Sequence, residues 1–209
     1  KPTTYRPKRG KISTSAYAAK NQWPYYYAAD KLYYPKVDQI LSISQTCVDV
    51  LKAYFPDCKD KISVMQNISS PILITKQANE IVDLPQSSLL LASLGHIMRR
   101  KGTDFSIDAA KILREKGIDF KWMLVGKVIE EDLVKRIKQE GLGNHFVFLG
   151  ISPNPYPYIK AADIYIHPSR FEGKSIALDE AKILCKPIVV TNFSTVNDQF
   201  GDRVNASII

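Results

Sequence analysis

From Ser87 to the C-terminus the sequence predicts an α/β fold, a parallel doubly wound sheet with helices on both faces. Two observations lead there. Five short apolar runs alternate with helical runs, the order in which strands and crossover helices build a parallel sheet. Three of those runs end at a glycine, Gly95, Gly126 and Gly150, where a bare backbone lets a ligand come close to a strand's end.

The first strand is SLLLASLG, and the helix after it is DFSIDAAKILREKG, amphipathic and ended by Gly117. FKWMLVG is the second strand. EEDLVKRIKQEGLG follows as a helix opened by acids, which suit its N-terminal dipole, and closed by glycine. HFVFLG reads as a strand, NPYPYIKAA as a short helix, DIYIHPS as a strand, KSIALDEAKILC as a helix and KPIVVT as the last strand. Ahead of this region, VDQILSIS (37–44) is a strand, QTCVDVLKAYF a helix that Pro56 ends, and KISVMQN holds a second short strand. These make one strand-helix-strand unit with no sheet of its own to join. Residues 70–86, with Pro71 and Pro85 among polar side chains, read as a linker or crossing segment. Residues 1–36 are basic and rich in tyrosine, with Tyr25, Tyr26, Tyr27, Tyr33 and Tyr34 around Trp23. Such a stretch can stack on nucleic acid, but a helix packing its aromatics on a neighbour is the commoner outcome.

The 209 residues are 45% hydrophobic and 24% charged, an ordinary globular composition. No run of eighteen apolar residues and no N-terminal signal pattern occurs. Cys47, Cys58 and Cys185 are far apart and odd in number, which argues against a disulfide framework or a zinc site and fits a reducing, cytosolic compartment. The net charge of +8 favours an acidic partner such as a phosphate, an anionic lipid head or nucleic acid, although a generally basic surface explains it as well. No RNA-binding signature or helix-turn-helix supports nucleic acid. The chain opens on Lys1 and stops at Ile209 after a segment that reads as a helix, so an excised fragment is expected.

Ligands of an open α/β sheet bind beyond the carboxyl ends of its strands. The loops there start around Gly95, Gly126, Gly150, Ser169 and Asn192. The first, GHIMRRKG, is neither a Walker A loop nor a G-x-G-x-x-G fingerprint, so triphosphate hydrolysis and NAD binding lose their usual support. It gathers His96, Arg99, Arg100 and Lys101, which suits a phosphate or diphosphate; a solvated basic turn accounts for it equally. The fourth loop carries SRFEGKSIALDEA. With a helix starting near Lys174, the amides of Gly173, Lys174 and Ser175 are unpaired donors reinforced by the helix dipole. Glu172 can accept from hydroxyls, and Glu180 lies roughly 12 Å further along a helix. That spacing fits a sugar, a diphosphate and a ribose in one line. The plainer alternative, more common for acids on a helix, has Glu172 and Asp179 complementing the dipole and Glu180 on the surface.

GHIMRRKG, MLVGK, VFLG, AADIYIHPS and EGKSIALDEAKILCKPIVVT, in this order, resemble the C-terminal half of group 1 retaining glycosyltransferases of GT-B architecture, with the signature pair of glutamates at Glu172 and Glu180. The resemblance runs from about Gln39 to Gln199 and looks closest to bacterial polysaccharide and capsule glycosyltransferases. It implies a Rossmann-like donor domain at 87–209, truncated at its C-terminal end, a linker at 71–86, and at 1–70 the last part of the N-terminal acceptor domain.

By the resemblance, Glu172 holds donor-sugar hydroxyls, Gly173, Lys174 and Ser175 offer amides, Glu180 binds the ribose and Ile176 packs beside it. Lys101 balances the diphosphate, Gly95 lies under the phosphates, and Gly150 and Ile151 meet the base. Glu172 and Lys101 are the positions it marks as catalytic. One departure is His96, where the family has an arginine. A bidentate fork is replaced by an imidazole, so Arg99 or Arg100 substitutes or donor binding is weaker. The implied reaction is retaining transfer from a nucleotide diphosphate sugar to a glycan or lipid-linked acceptor in polysaccharide biosynthesis. No cofactor and no metal are expected, in keeping with the lack of a D-x-D sequence. A non-catalytic nucleotide-sugar-binding module, a GT-B epimerase and, further off, a nucleic-acid-binding protein are the alternatives. A cytoplasmic place is implied, with Lys8, Arg9 and Lys11 touching anionic lipid at the inner membrane face.

Overall fold

The computed structural model describes residues 4–6, 11–13, 28–200 and 206–209. The Trp23 cluster up to Tyr27, together with Lys8 and Arg9, lies outside the described residues, as does the side chain of Lys11. The chain divides into two compact units: one of Lys1–Ile68, Phe171–Ser175 and Phe193–Gly201, the other of Ser69–Arg170, Ile176–Asn192 and Asp202–Ile209.

In the first unit, β1 (Thr4–Arg6) and β2 (Lys11–Ser13) pair antiparallel, and a helix covers 28–33 (α1). β3 (Ile40–Ser42) leads to α2 (Gln45–Tyr54) and then β4 (Ile62–Val64). Ser44 caps α2 by accepting from the Cys47 amide, which satisfies one orphan donor of the first turn. The two strands do have a sheet: they pair with each other in parallel, Ile40 beside Ile62. The right periodicity was read, but a two-stranded parallel pair leaves no sequence mark of its own. Ile40, Val48, Phe55, Cys58 and Ile62 form the core beneath it.

The second unit begins with α3 (Pro71–Gln77), a helix inside the stretch read as a linker, capped by Ser70 and started by the proline that N1 tolerates. β5 (Leu90–Leu94), α4 (Thr103–Glu115), β6 (Lys121–Val125), α5 (Glu131–Gln139), β7 (Phe146–Gly150), α6 (Tyr156–Ala161), β8 (Ile164–His167), α7 (Ile176–Ile183) and β9 (Ile188–Val190) follow in the predicted order. A sixth strand, β10 (Ala206–Ile208), stands where a terminal helix was expected and extends the sheet alongside β9. All neighbours are parallel, in the order β10-β9-β8-β5-β6-β7. Trp122, buried on β6, donates its indole N–H to Ser93 Oγ, which donates to the Ile166 carbonyl, so three strands are tied across one face. Among the described residues no helix is long and apolar enough to cross a membrane.

Three helices of this unit end in the same way. After α4, α5 and α7 the next-but-one residue turns left-handed at Gly117 (φ 69°), Gly141 (φ 69°) and Cys185 (φ 54°), and the paired backbone bonds of a Schellman motif close each end. Cysteine at that position is strained by its Cβ. Cys185→Gly is therefore expected to stabilise the protein by about 0.5–1 kcal/mol, the left-handed cost less the extra chain entropy of glycine. Thermal unfolding of the two proteins checks this, and an unchanged or lower midpoint would contradict it.

Candidate donor site at the carboxyl ends of the strands

β5 and β8 are neighbours although the chain visits β6 and β7 between them, so the strand order reverses there. A crevice outside the carboxyl ends at such a reversal is where doubly wound sheets take their ligands. The loops leaving those ends start at Gly95 and Pro168, and they touch. A Cβ on Gly102 would lie 1.8 Å from the Pro168 carbonyl oxygen, and one on Gly126 would lie 2.0 Å from that of Gly95. Gly95 donates to the Val125 carbonyl and Gly126 to that of Gly150, so the ends of β5, β6 and β7 form one continuous floor. A pocket of about 20 Å³, room for one water-sized group, opens there among Ser93, Gly95, His96, Lys101 and His167.

The basic loop sorts its charges. Lys101 lays its stem over Gly95, whose Cβ, if present, would be 3.6 Å from the lysine Cδ. His96 is exposed. Arg99 turns to the start of α5 and pairs with Glu130 at 2.5 Å and with Asp132, so its fork is already engaged by two carboxylates. Of the two arginines named as substitutes at the diphosphate, only Arg100 keeps a guanidinium without an ion pair among the described residues.

Arg170 makes the closest link between the two loops. Its guanidinium donates to both Asp104 carboxylate oxygens at 2.6 and 2.8 Å and to the Arg99 carbonyl at 2.5 Å. Its amide donates to the Arg100 carbonyl, and its Cζ lies 3.8 Å over the Phe105 ring. Burial alone would raise the Asp104 carboxyl, but the hydrogen bonds and charge of Arg170 hold it below the ordinary carboxylate range.

Glu172, Gly173, Lys174 and Ser175 belong to the first unit. The predicted helix start at Lys174 is corrected by the structure: α7 begins at Ile176. The Ser175 amide is not available either, because Gln199 accepts from it at 2.8 Å and returns a bond to the Ser175 carbonyl at 2.8 Å. Thr195 donates to the Glu172 carbonyl, Lys174 Nζ donates to Gln66, and a Cβ on Gly173 would meet Ile43 at 2.8 Å. The loop is thus fixed by its backbone. The sequence missed Thr195 and Gln199 because they lie 23 and 24 residues downstream with no motif around them.

Back in the second unit, Ile176 opens α7 and is exposed, as is Ile151 just after β7. Glu180 sits one turn further and accepts from the Tyr156 hydroxyl at 3.0 Å through Oε1, which leaves Oε2 to receive another hydroxyl. Burial raises the Glu180 carboxyl above its ordinary value, the Tyr156 bond lowers it in part, and the neighbouring Asp179 raises it further. This is not a surface acid. Tyr156 could have been found from sequence only by knowing that α6 lies beside α7.

Residues 75–209 match the family model for glycosyl transferases group 1. An uncharacterized glycosyltransferase of Methanocaldococcus jannaschii is 24% identical over 173 residues, 80% of this chain and 43% of its own. An N-acetylgalactosaminyltransferase acting on a diphospho-undecaprenol glycan, from Campylobacter jejuni, is 29% identical over 82% of this chain and 46% of its own. The chain therefore spans less than half the length of these relatives. Among solved structures, a glycosyltransferase from Rickettsia africae superposes with a TM-score of 0.71 at 17% identity, over 92% of this chain and 54% of that one. Anabaena HepE, solved with UDP and glucose, gives 0.65 at 21% identity over 87% and 52%. These likenesses carry the fold. With the family match spanning residues 75–209 and the parallel sheet order in agreement, the chain belongs to the group 1 glycosyl transferases, of GT-B architecture.

Proposed function

We propose that the chain carries the donor-binding half of a retaining glycosyltransferase that moves a sugar from a nucleotide diphosphate sugar to a glycan or lipid-linked acceptor during cell-surface polysaccharide assembly. The observation behind this reading is the lysine stem of Lys101 lying over Gly95 at the strand-order reversal, with the half-buried Glu180 on the helix of the family signature. Lys101, Arg100 and His96 face the diphosphate, and their charge and hydrogen bonds stabilise the negative charge that grows on it as the glycosidic bond breaks. Gly95 gives the phosphates room, Gly150 and Ile151 meet the base, and Ile176 packs by the ribose that Glu180 holds. Glu172 and the amides of Gly173 and Lys174, on the loop that runs directly into Ile176, are the family positions for the donor sugar. No metal is needed in this scheme, since cationic side chains meet the leaving charge. Relatives named for an undecaprenol-linked glycan and for lipopolysaccharide core synthesis support a lipid-linked or surface glycan as acceptor.

Calorimetric titration of this chain with uridine diphosphate and guanosine diphosphate tests the reading. One of them is expected to bind, and Glu180→Ala is expected to weaken it by about tenfold or more, the worth of a hydrogen bond to a charged group. Because the Glu180 carboxyl is raised in the folded protein, its protonation removes the acceptor at a higher pH than for an ordinary glutamate. Affinity should fall as the solution is acidified through that range. Stability has the opposite sign: a raised carboxyl favours folding at low pH and loses that contribution as pH rises through the folded value. Absence of binding by both nucleotides, or equal binding by Glu180→Ala, would refute the assignment.

A further inference from the structure

We infer that Arg170 is a positioning residue for the diphosphate, acting by holding the turn that bears Arg100 and Lys101; this rests on the donor-site reading above. The turn Arg99–Lys101 is a single 3-10 turn followed by left-handed Gly102: Lys101 and Thr103 donate to the Met98 carbonyl, Gly102 donates to that of Arg99, and on the α5 side Arg99 is tied to Glu130 and Asp132. At the Arg100–Gly102 end the main-chain bonds are short-range ones within the turn, which open easily in water. Arg170 supplies the missing constraint from the other loop. One guanidinium nitrogen divides its two hydrogens between the Arg99 carbonyl and Asp104 Oδ1, the second nitrogen meets Asp104 Oδ2, and the main-chain amide takes the Arg100 carbonyl. The face of the fork lies on Phe105. Every partner is on the turn or on the first residues of the helix that follows it. None of these bonds uses the charge of Arg100 or Lys101; they fix the backbone that carries both.

The planar fork is what the arrangement requires. Lysine offers a point charge that cannot meet two carboxylate oxygens and a carbonyl at once in one plane, so Arg170→Lys should behave as a loss and not as a conservative change. The residue stands just ahead of Glu172 in the family signature, and its hydrogen bonds to the basic loop lie wholly within the second unit. The expected effect is selective. Contacts to the nucleoside do not depend on the turn, whereas contacts to the phosphates do.

Two measurements on the full chain test this. Hydrogen exchange of the Lys101 and Gly102 amides should quicken at least about tenfold in Arg170→Met, with the amides of β5 and β6 unchanged. Uridine diphosphate should bind about tenfold more weakly to that variant, with uridine bound as before. Asp104→Asn, which keeps the shape of the pair, should quicken the same amides and serves if Arg170→Met does not fold. Unchanged exchange at the turn in both variants overturns the inference whether or not the wild type binds the nucleotide. Equal weakening of uridine and uridine diphosphate overturns it too, since that is the mark of general destabilisation. Failure of the wild type to bind either nucleotide would instead count against the donor reading, with the exchange result still deciding the role of Arg170.

Discussion

Gly102→Ala is expected to lower the stability of the protein by about 3 kcal/mol, the sum of a left-handed alanine and an overpacked contact. Gly102 has φ 73°, and the new Cβ would lie 1.8 Å from the Pro168 carbonyl oxygen and 2.6 Å from its carbon. Backbone cannot swing aside as a side-chain end can, so either the basic loop or the loop after β8 must move. At about 2–4 °C per kcal/mol for a chain of this size, the midpoint should drop by about 6–12 °C. Gly117→Ala separates the two causes. Its φ is 69°, but nothing lies within 4 Å of the added carbon, so only the left-handed strain of about 1 kcal/mol applies. Thermal or denaturant unfolding of both variants decides the matter, and equal losses would mean that the Pro168 contact relaxes at no cost. Nucleotide affinity should fall in Gly102→Ala alone, because only that turn bears Lys101.

Lys101→Met is expected to weaken uridine or guanosine diphosphate binding by about tenfold to a hundredfold. Methionine keeps an unbranched apolar stem over Gly95, so the packing survives and the charge alone is removed. The salt dependence of binding should shrink in the variant, because the lost contact is ionic. A titration at two salt concentrations reads both effects. Undiminished affinity at low salt would show that Lys101 does not meet the phosphates and would move that role to Arg100.

Much of the second unit was legible in the sequence, and particular elements show why. LLASL, KWMLV and FVFLG are short apolar runs that end at a glycine, a local pattern sufficient to mark a strand. Gly117 and Gly141 mark helix ends because left-handed termini select glycine; Cys185 does the same with no such mark. The misses have equally definite causes. Residues 206–208 form a strand only because β9 offers its open edge, so no local pattern announces it. Residues 70–86 read as a linker or crossing segment on the strength of Pro71 and Pro85, whereas Pro71, after a capping serine, begins a helix within it. The start of α7 slipped from Lys174 to Ile176 because Gln199 takes the Ser175 amide and carbonyl that a helix would use.

The sequence by itself determined the alternation of strands and helices, the glycines at the carboxyl ends and the spacing of Glu172 and Glu180, all of which are local patterns written within a few turns of chain. The tertiary structure alone decided which charges are spent. Arg99 pairs with acids 31 and 33 residues away, Arg170 with Asp104 across 66 residues, and Glu180 with a tyrosine 24 residues upstream. Three cations adjacent in sequence, Arg99, Arg100 and Lys101, are equivalent until folding sets carboxylates beside one of them. Hydrogen bonds reach only about 3 Å, so the partner a side chain meets depends on which loops the sheet order brings together.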